Sequence, residues 1–288
     1  MKYLKLSLSL LLIIMLFSGS SDFEQNKKFE TFLQKEWEYS LSQSPIYATA
    51  MGVKGLEKEW IDLSLRAINS RKSHDLETLN SLKIFNPEKL SEDNQLNLRL
   101  FEQLTLEKIS SSEFNRHLLP FSHRGGVQLA HEDVEVLPLI TLEDYQNWLE
   151  RLKKLDGRIE QTINLAQIGI NKGYKAPKVL MERVYRQIQI QTNENTENNP
   201  FYKIFKSLPE SFSLEEKEML KSQAKQIIID QIVPAYKRLE KFFKKNISLL
   251  HDQQLVFTTF PKEKSYIDIW LSLIQQLRLH LKKSIRLD

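Results

Sequence analysis

The sequence has no cysteine, only 8 glycines and 9 prolines in 288 residues, and no apolar run longer than the twelve residues Leu6–Phe17. Without a thiol there is no disulfide framework, no thiolate nucleophile and no cysteine-ligated zinc. A lipid-modified cysteine behind a leader is excluded as well, since that region reads Ser18-Gly19-Ser20-Ser21. So few glycines and prolines argue against a sandwich or barrel, which needs many tight turns, and favour an all-helical chain. The apolar run is too short to cross a bilayer, which takes roughly 20 residues. Lys2 and Lys5 precede it and small residues follow, the pattern of a secretory signal peptide over residues 1–21. The expectation is a mature chain beginning near Ser20–Phe23, periplasmic or secreted, with no stable membrane span after cleavage.

Charge of one sign is also missing. The net charge is +4, but Lys2 and Lys5 carry two of those charges. Residues 263–288 supply two more, with five basic and three acidic groups, so the body of the chain is neutral. Nothing in that balance calls for nucleic acid.

What is present is helical periodicity. Phe29, Phe32, Leu33 and Trp37 share one face of a first helix, broken at Ser44-Pro45. Leu96, Leu100 and Leu104 repeat every four residues behind Ser91, a candidate N-cap, and such stripes are expected to be core. From Ile109 to Ile140 the pattern fails around Pro120, Gly125, Gly126 and Pro138, predicting a long ordered crossing. Thr141–Asp144 reads as a capping box for a helix burying Tyr145, Trp148, Leu149, Leu152 and Leu155, with Gly157 ending or bending it. A further helix carries Ile159, Ile163 and Ala166, and Pro177 suits the first turn of the next. Residues 192–199 read as a solvated linker. Ser213–Glu216 is a second capping box, leading through Leu220, Ala224, Ile227 and Ile228 to a kink near Pro234. No internal repeat is visible.

Chemistry-bearing motifs are sparse. His117, His123 and His131 fall close together, with Glu132 after the last. The second histidine of a His-Glu-x-x-His zinc site is absent, so no metal ligand is assigned. Arg124 followed by Gly125-Gly126 could form an anion-binding turn, and these three are the candidate binding residues. A turn requiring positive φ explains the glycines equally well. No catalytic triad or phosphate loop is found, and no residue is assigned as catalytic.

Seven phrases in order resemble one family. They are Ser44–Gly52, Leu90–Asn97, Leu118–Val127, Leu142–Tyr145, Ala176–Val184, Asn199–Tyr202 and Val233–Leu239. Together they resemble the bacterial domain-of-unknown-function family numbered 885, from about Phe29 to Pro261. The resemblance implies an all-helical multi-helix bundle like the N-terminal half of a thermolysin-like carboxypeptidase. It also implies a zinc site of His-Glu-x-x-x-Gly-His type for the full-length family, downstream of everything matched here. This chain then holds residues 22–262 of the family domain and no cofactor of its own. Its partner would be peptide or a C-terminal companion chain. The alternatives are a stand-alone helical binding or scaffold protein, or a half-enzyme completed by a separate chain. An uncovered apolar surface near Val233–Leu250 would favour truncation or a partner, and a polar one the stand-alone protein.

The resemblance stops after Pro261-Lys262. Residues 263–288 could make an amphipathic helix through Ile269, Leu273, Ile274 and Leu277. Restoring one lost G just after Lys262, however, permits a reading of GKELYRYLAKFNTTTTFTPEEIHQIGL. That string looks like the family's next segment, so residues 263–288 are expected to be out of frame.

Overall fold

The computed structural model describes residues 2–252, with side-chain environments for 22–249. The expected out-of-frame tail, 263–288, lies outside the described residues. The chain is a helical bundle with strand confined, among the described residues, to two dipeptides. The helices are α1 (Lys2–Ser42), α2 (Pro45–Ala50), α3 (Leu65–Leu82), α4 (Glu92–Ser112), α5 (Leu142–Lys153), α6 (Leu155–Asn171), α7 (Lys178–Gln191), α8 (Leu214–Ile227) and α9 (Val233–Leu250). The dipeptides β1 (Ala176–Pro177) and β2 (His251–Asp252) pair in parallel, tying the end of α9 to the start of α7.

Two larger hydrophobic centres organise the bundle, beside a small third one of Leu118, Leu165 and Tyr174. In the smaller of these two α1 lies against the α3–α4 pair and buries Phe29, Leu82, Phe85, Leu90 and Leu98, with the rings of Phe29 and Phe85 edge to face at 5.0 Å. The larger one gathers α5 to α9 and the crossing segment 113–140 around Trp148, Leu152, Ile159, Val184, Tyr236 and Phe243. Each fully buried large apolar side chain there contributes about 1.5–3 kcal/mol.

Both capping boxes form. Thr141 Oγ1 accepts from the Asp144 N–H at 3.2 Å while Asp144 accepts from the Thr141 N–H, and Ser213 and Glu216 reciprocate in the same way. All five side chains expected on the α5 stripe are buried.

Several local expectations are corrected. Leu96, Leu100 and Leu104 are 49%, 53% and 55% exposed, because α1 and α3 pack on the other face of α4, over Leu98, Phe101 and Thr105. Trp37 is likewise exposed, its ring edge to face with Tyr47. The break after α5 comes at Lys154, not Gly157, which sits in the first turn of α6. The segment expected to be a solvated linker ends on a buried Asn199, whose side chain donates to Gln191 O and Asn193 O and accepts from the Phe201 N–H. The irregularity near Pro234 is a π turn at Ile228–Ile232. A proline has no N–H and crowds the carbonyl four residues back, and the wider turn accommodates it.

Candidate functional site

The crossing segment 113–140 carries all the sequence-derived site candidates. It begins as α4 ends at Ser112, with Asn115 in the left-handed region at φ 47. Three short 3-10 turns follow, at Arg116–Leu118, Val127–Leu129 and Asp133–Val136. Ser122 and Gly125 exchange backbone hydrogen bonds at 3.2 Å, closing a tight turn. Gly126 follows at φ +126, and a Cβ there would lie 2.6 Å from Gln128 Oε1 and 3.1 Å from Pro120 O. Only glycine fits.

A set of amide side chains holds this turn in place. Gln128, fully buried, donates from Nε2 to Ser122 O at 2.6 Å and Gly125 O at 3.2 Å. From α7, Gln187 donates to His123 O at 3.0 Å and Gln191 to Gln128 O at 3.2 Å. From α9, the buried Tyr236 hydroxyl donates to Val127 O at 2.5 Å, and burial raises its pKa far above the ordinary phenol value. Farther along, Arg158 of α6 pairs with Asp133 at 3.0 Å and lies 4.5 Å over the Trp60 ring.

The three histidines are placed separately. His117 belongs to the first 3-10 turn, and burial, with Lys172 and Lys72 nearby, lowers its pKa. The His131 ring lies edge to face on Phe201, and its Nδ1 is 2.9 Å from Gln191 Nε2. An amide N–H can only donate, so that nitrogen is the acceptor and the ring is the Nε2–H tautomer. Burial lowers its pKa in the same sense. His123 Nδ1 is buried without a partner, as are Gln128 Oε1 and Gln191 Oε1. Among the described residues, no three His, Asp or Glu side chains converge as a metal would need.

Of the binding candidates, Arg124 is exposed, while its own N–H donates to Ser122 Oγ and that of Gly125 to Ser122 O. Two of the turn's amides therefore point inward, and the Arg124 guanidinium is the group left for an anion. Sequence reasoning missed the glutamines, which carry no charge and follow no motif. It also missed Arg151 of α5, whose fully buried guanidinium donates to Thr49 Oγ1 and Leu56 O while its own carbonyl accepts from Trp60 Nε1. Burial lowers its pKa to about 10, so it remains a cation at neutral pH and clamps residues 49–60 onto α5.

An open groove of about 720 Å³ runs between Glu194–Lys206 and α8. Most of its charges are paired, Lys225 with Glu197, Lys221 with Glu218 and Glu194 with Lys237, which leaves a solvated cleft.

Three of the resemblance phrases meet in space at this crossing segment. Tyr236 of one joins the other two, Val127 through its hydroxyl hydrogen bond and Phe201 through rings 5.8 Å apart. No curated protein matches the chain. The crystal structure of a candidate lipoprotein from Colwellia psychrerythraea superposes with a TM-score of 0.65 at 17% sequence identity, covering 85% of this chain and 44% of that one. The chain thus spans less than half the length of that protein, and the likeness fixes the all-helical fold. The family described as "Bacterial protein of unknown function (DUF885)" matches residues 45–256, so the chain belongs to the DUF885 family.

Proposed function

We propose that this chain is an exported helical portion of a metallopeptidase-like protein and that it has no catalytic activity alone. The observation that carries this reading is one of coverage. The chain aligns over 85% of its own length with only 44% of a solved structure of the same fold. The zinc site implied by the family resemblance would lie downstream of the residues matched here. Arg124, with Gly125 and Gly126 shaping its turn, is the binding element offered by the crossing segment. Export rests on the basic and apolar character of residues 1–21. Among the described residues, no helix is long and apolar enough to cross a membrane.

One observation favours the second reading, a stand-alone helical binding protein. On α9 the apolar side chains Val233, Ala235, Tyr236, Leu239 and Phe243 face inward, while Lys241, Lys244, Lys245 and Ser248 face outward with Leu249. A completing half would have little apolar surface to cover there.

Reading the DNA separates the two. If the frame one base over after Lys262 continues into a His-Glu-x-x-x-Gly-His segment, the truncation reading stands; an uninterrupted frame as given rejects it. Purified protein, loaded with zinc and then dialysed against zinc-free buffer, is expected to hold it no better than scattered surface histidines do and to leave peptides uncleaved. Tight retention lost in a His123→Ala/His131→Ala variant would overturn that expectation.

A further inference from the structure

His131 stands between the crossing segment and α7, where its Nδ1 accepts from Gln191 Nε2 at 2.9 Å. The same amide nitrogen donates to Gln128 O at 3.2 Å, while Gln191 Oε1 is buried with no partner. One NH2 group therefore serves two acceptors, the His131 ring and the backbone of Gln128. Gln128 in its turn holds the 122–126 turn, donating to Ser122 O and Gly125 O.

Protonating Nδ1 turns that acceptor into a donor and sets two N–H groups against each other. Turning the Gln191 amide over relieves the conflict, because its Oε1 is uncommitted. Oε1 then accepts from the imidazolium, but in that place it also faces Gln128 O, and an oxygen without a proton cannot donate. The bond to the Gln128 carbonyl is lost. The charges around the ring permit this step. On its own segment Glu132 Oε1 is 3.9 Å from Nε2, Asp133 is paired with Arg158 of α6, and Glu135 with Lys203. The 3-10 run Pro200–Lys206 brings up the Phe201 ring and Lys203. Burial opposes the imidazolium most, the three carboxylates favour it and Lys203 opposes it. A ring relieved of that burial takes up a proton more readily than one packed against Phe201, so acid favours the loosened arrangement.

We propose that His131 and Gln191 form an acid-sensitive latch. When His131 takes up a proton, the Gln191 amide turns over, releases the Gln128 carbonyl and loosens the turn that carries Arg124. Gln187 keeps its hold on His123 O and Tyr236 on Val127 O, so the release is local and the bundle stays folded. The latch belongs to the anchors of the turn and holds whether or not Arg124 takes an anion, so it fails separately from that binding role.

The test follows the full chain by NMR from about pH 7.5 to about pH 4.5, a range that brackets the ordinary histidine value. At the upper end the ring-nitrogen shifts of His131 should report the Nε2–H tautomer. As the ring titrates, the Gln191 side-chain NH2 signals should move with the same midpoint. The Gly125 and Leu129 amides, which donate to Ser122 O and Gly126 O, should lose hydrogen-exchange protection about two- to tenfold, the size of one hydrogen bond lost. Protection factors rather than raw rates are compared, so that the intrinsic pH dependence of exchange drops out. In a His131→Gln variant, whose side chain does not titrate, the step should vanish. Because the other readings come from unaltered protein, the outcome does not depend on that variant folding. Gln191 signals that stay still while His131 titrates overturn the latch. So do unchanged protection of Gly125 and Leu129 through the His131 midpoint, a step that survives in His131→Gln, or a ring still neutral at the acid end.

Discussion

Gly169 and Gly157 occupy the same helix, α6, and replacing each by alanine should have opposite effects. A Cβ at Gly169 would fall 2.1 Å from the carbonyl oxygen of Leu118 and 3.5 Å from its Cβ. That oxygen belongs to the backbone of a buried residue and cannot swing aside as a side chain would. Either the crossing segment or α6 must move. Over-packing of this kind costs about 1–3 kcal/mol. The glycine-to-alanine gain in helix propensity offsets at most about 1 kcal/mol of it, less this close to the helix end. The net expectation is a loss of about 1–2 kcal/mol. At Gly157 nothing lies within 4 Å of the added methyl, so only the propensity gain of up to about 1 kcal/mol operates there. The two variants should therefore differ by about 2–3 kcal/mol in urea unfolding followed by circular dichroism, with unchanged denaturant slopes. For a chain of this size the gap corresponds to roughly 5–10 °C in Tm. Equal stability of the two variants would refute the close approach of the crossing segment to α6 at Leu118.

The exposed stripe of α4 gives a second contrast, again read by urea unfolding. Leu96→Lys, Leu100→Lys and Leu104→Lys should each change stability by no more than about 0.5 kcal/mol, whereas Leu98→Ala, on the buried face, should cost about 2–5 kcal/mol. A third expectation concerns pH. Burial depresses the pKa of His117 and of His131, so the unfolded chain takes up their protons first as the pH falls through about 6.5. The stability these two groups contribute is present above that pH and is lost as it drops towards their folded values. A His117→Gln/His131→Gln variant should show a shallower loss of stability between pH 7 and 5, and an identical slope would contradict the assignment.

Much of the fold was legible because it is written locally. A capping box needs four adjacent residues, and the α5 stripe needs one helix with a single apolar face, so Thr141, Ser213 and the Tyr145–Leu155 series could be read directly. Helix α4 could not, because it carries leucines on more than one face, and only the positions of α1 and α3 decide that Leu98 is buried and Leu100 is not. The break at Lys154 was misplaced to Gly157 because a glycine in a first helical turn is tolerated when neighbours hold the turn. The candidate site was least legible of all. Arg124, Gly125 and Gly126 were visible as a turn, but the groups that hold it, Gln128, Gln187, Gln191 and Tyr236, come from distant segments and share no spacing rule.

The π turn at Ile228–Ile232 bears on how this chain tolerates changes in length. Each residue of an α-helix advances the side-chain direction by about 100°, so one extra residue would ordinarily swing everything after it away from the core. Here α8 buries Leu220, Ala224 and Ile227, and α9 still buries Val233, Tyr236, Leu239 and Phe243. The wide turn takes up the surplus residue and returns the two helices to one rotational phase. Deleting one residue from 228–232 would convert the turn to regular helix. The lysine-bearing side of α9 would then be driven towards the protein interior, unless the bundle rebuilt the bulge elsewhere along the same rod.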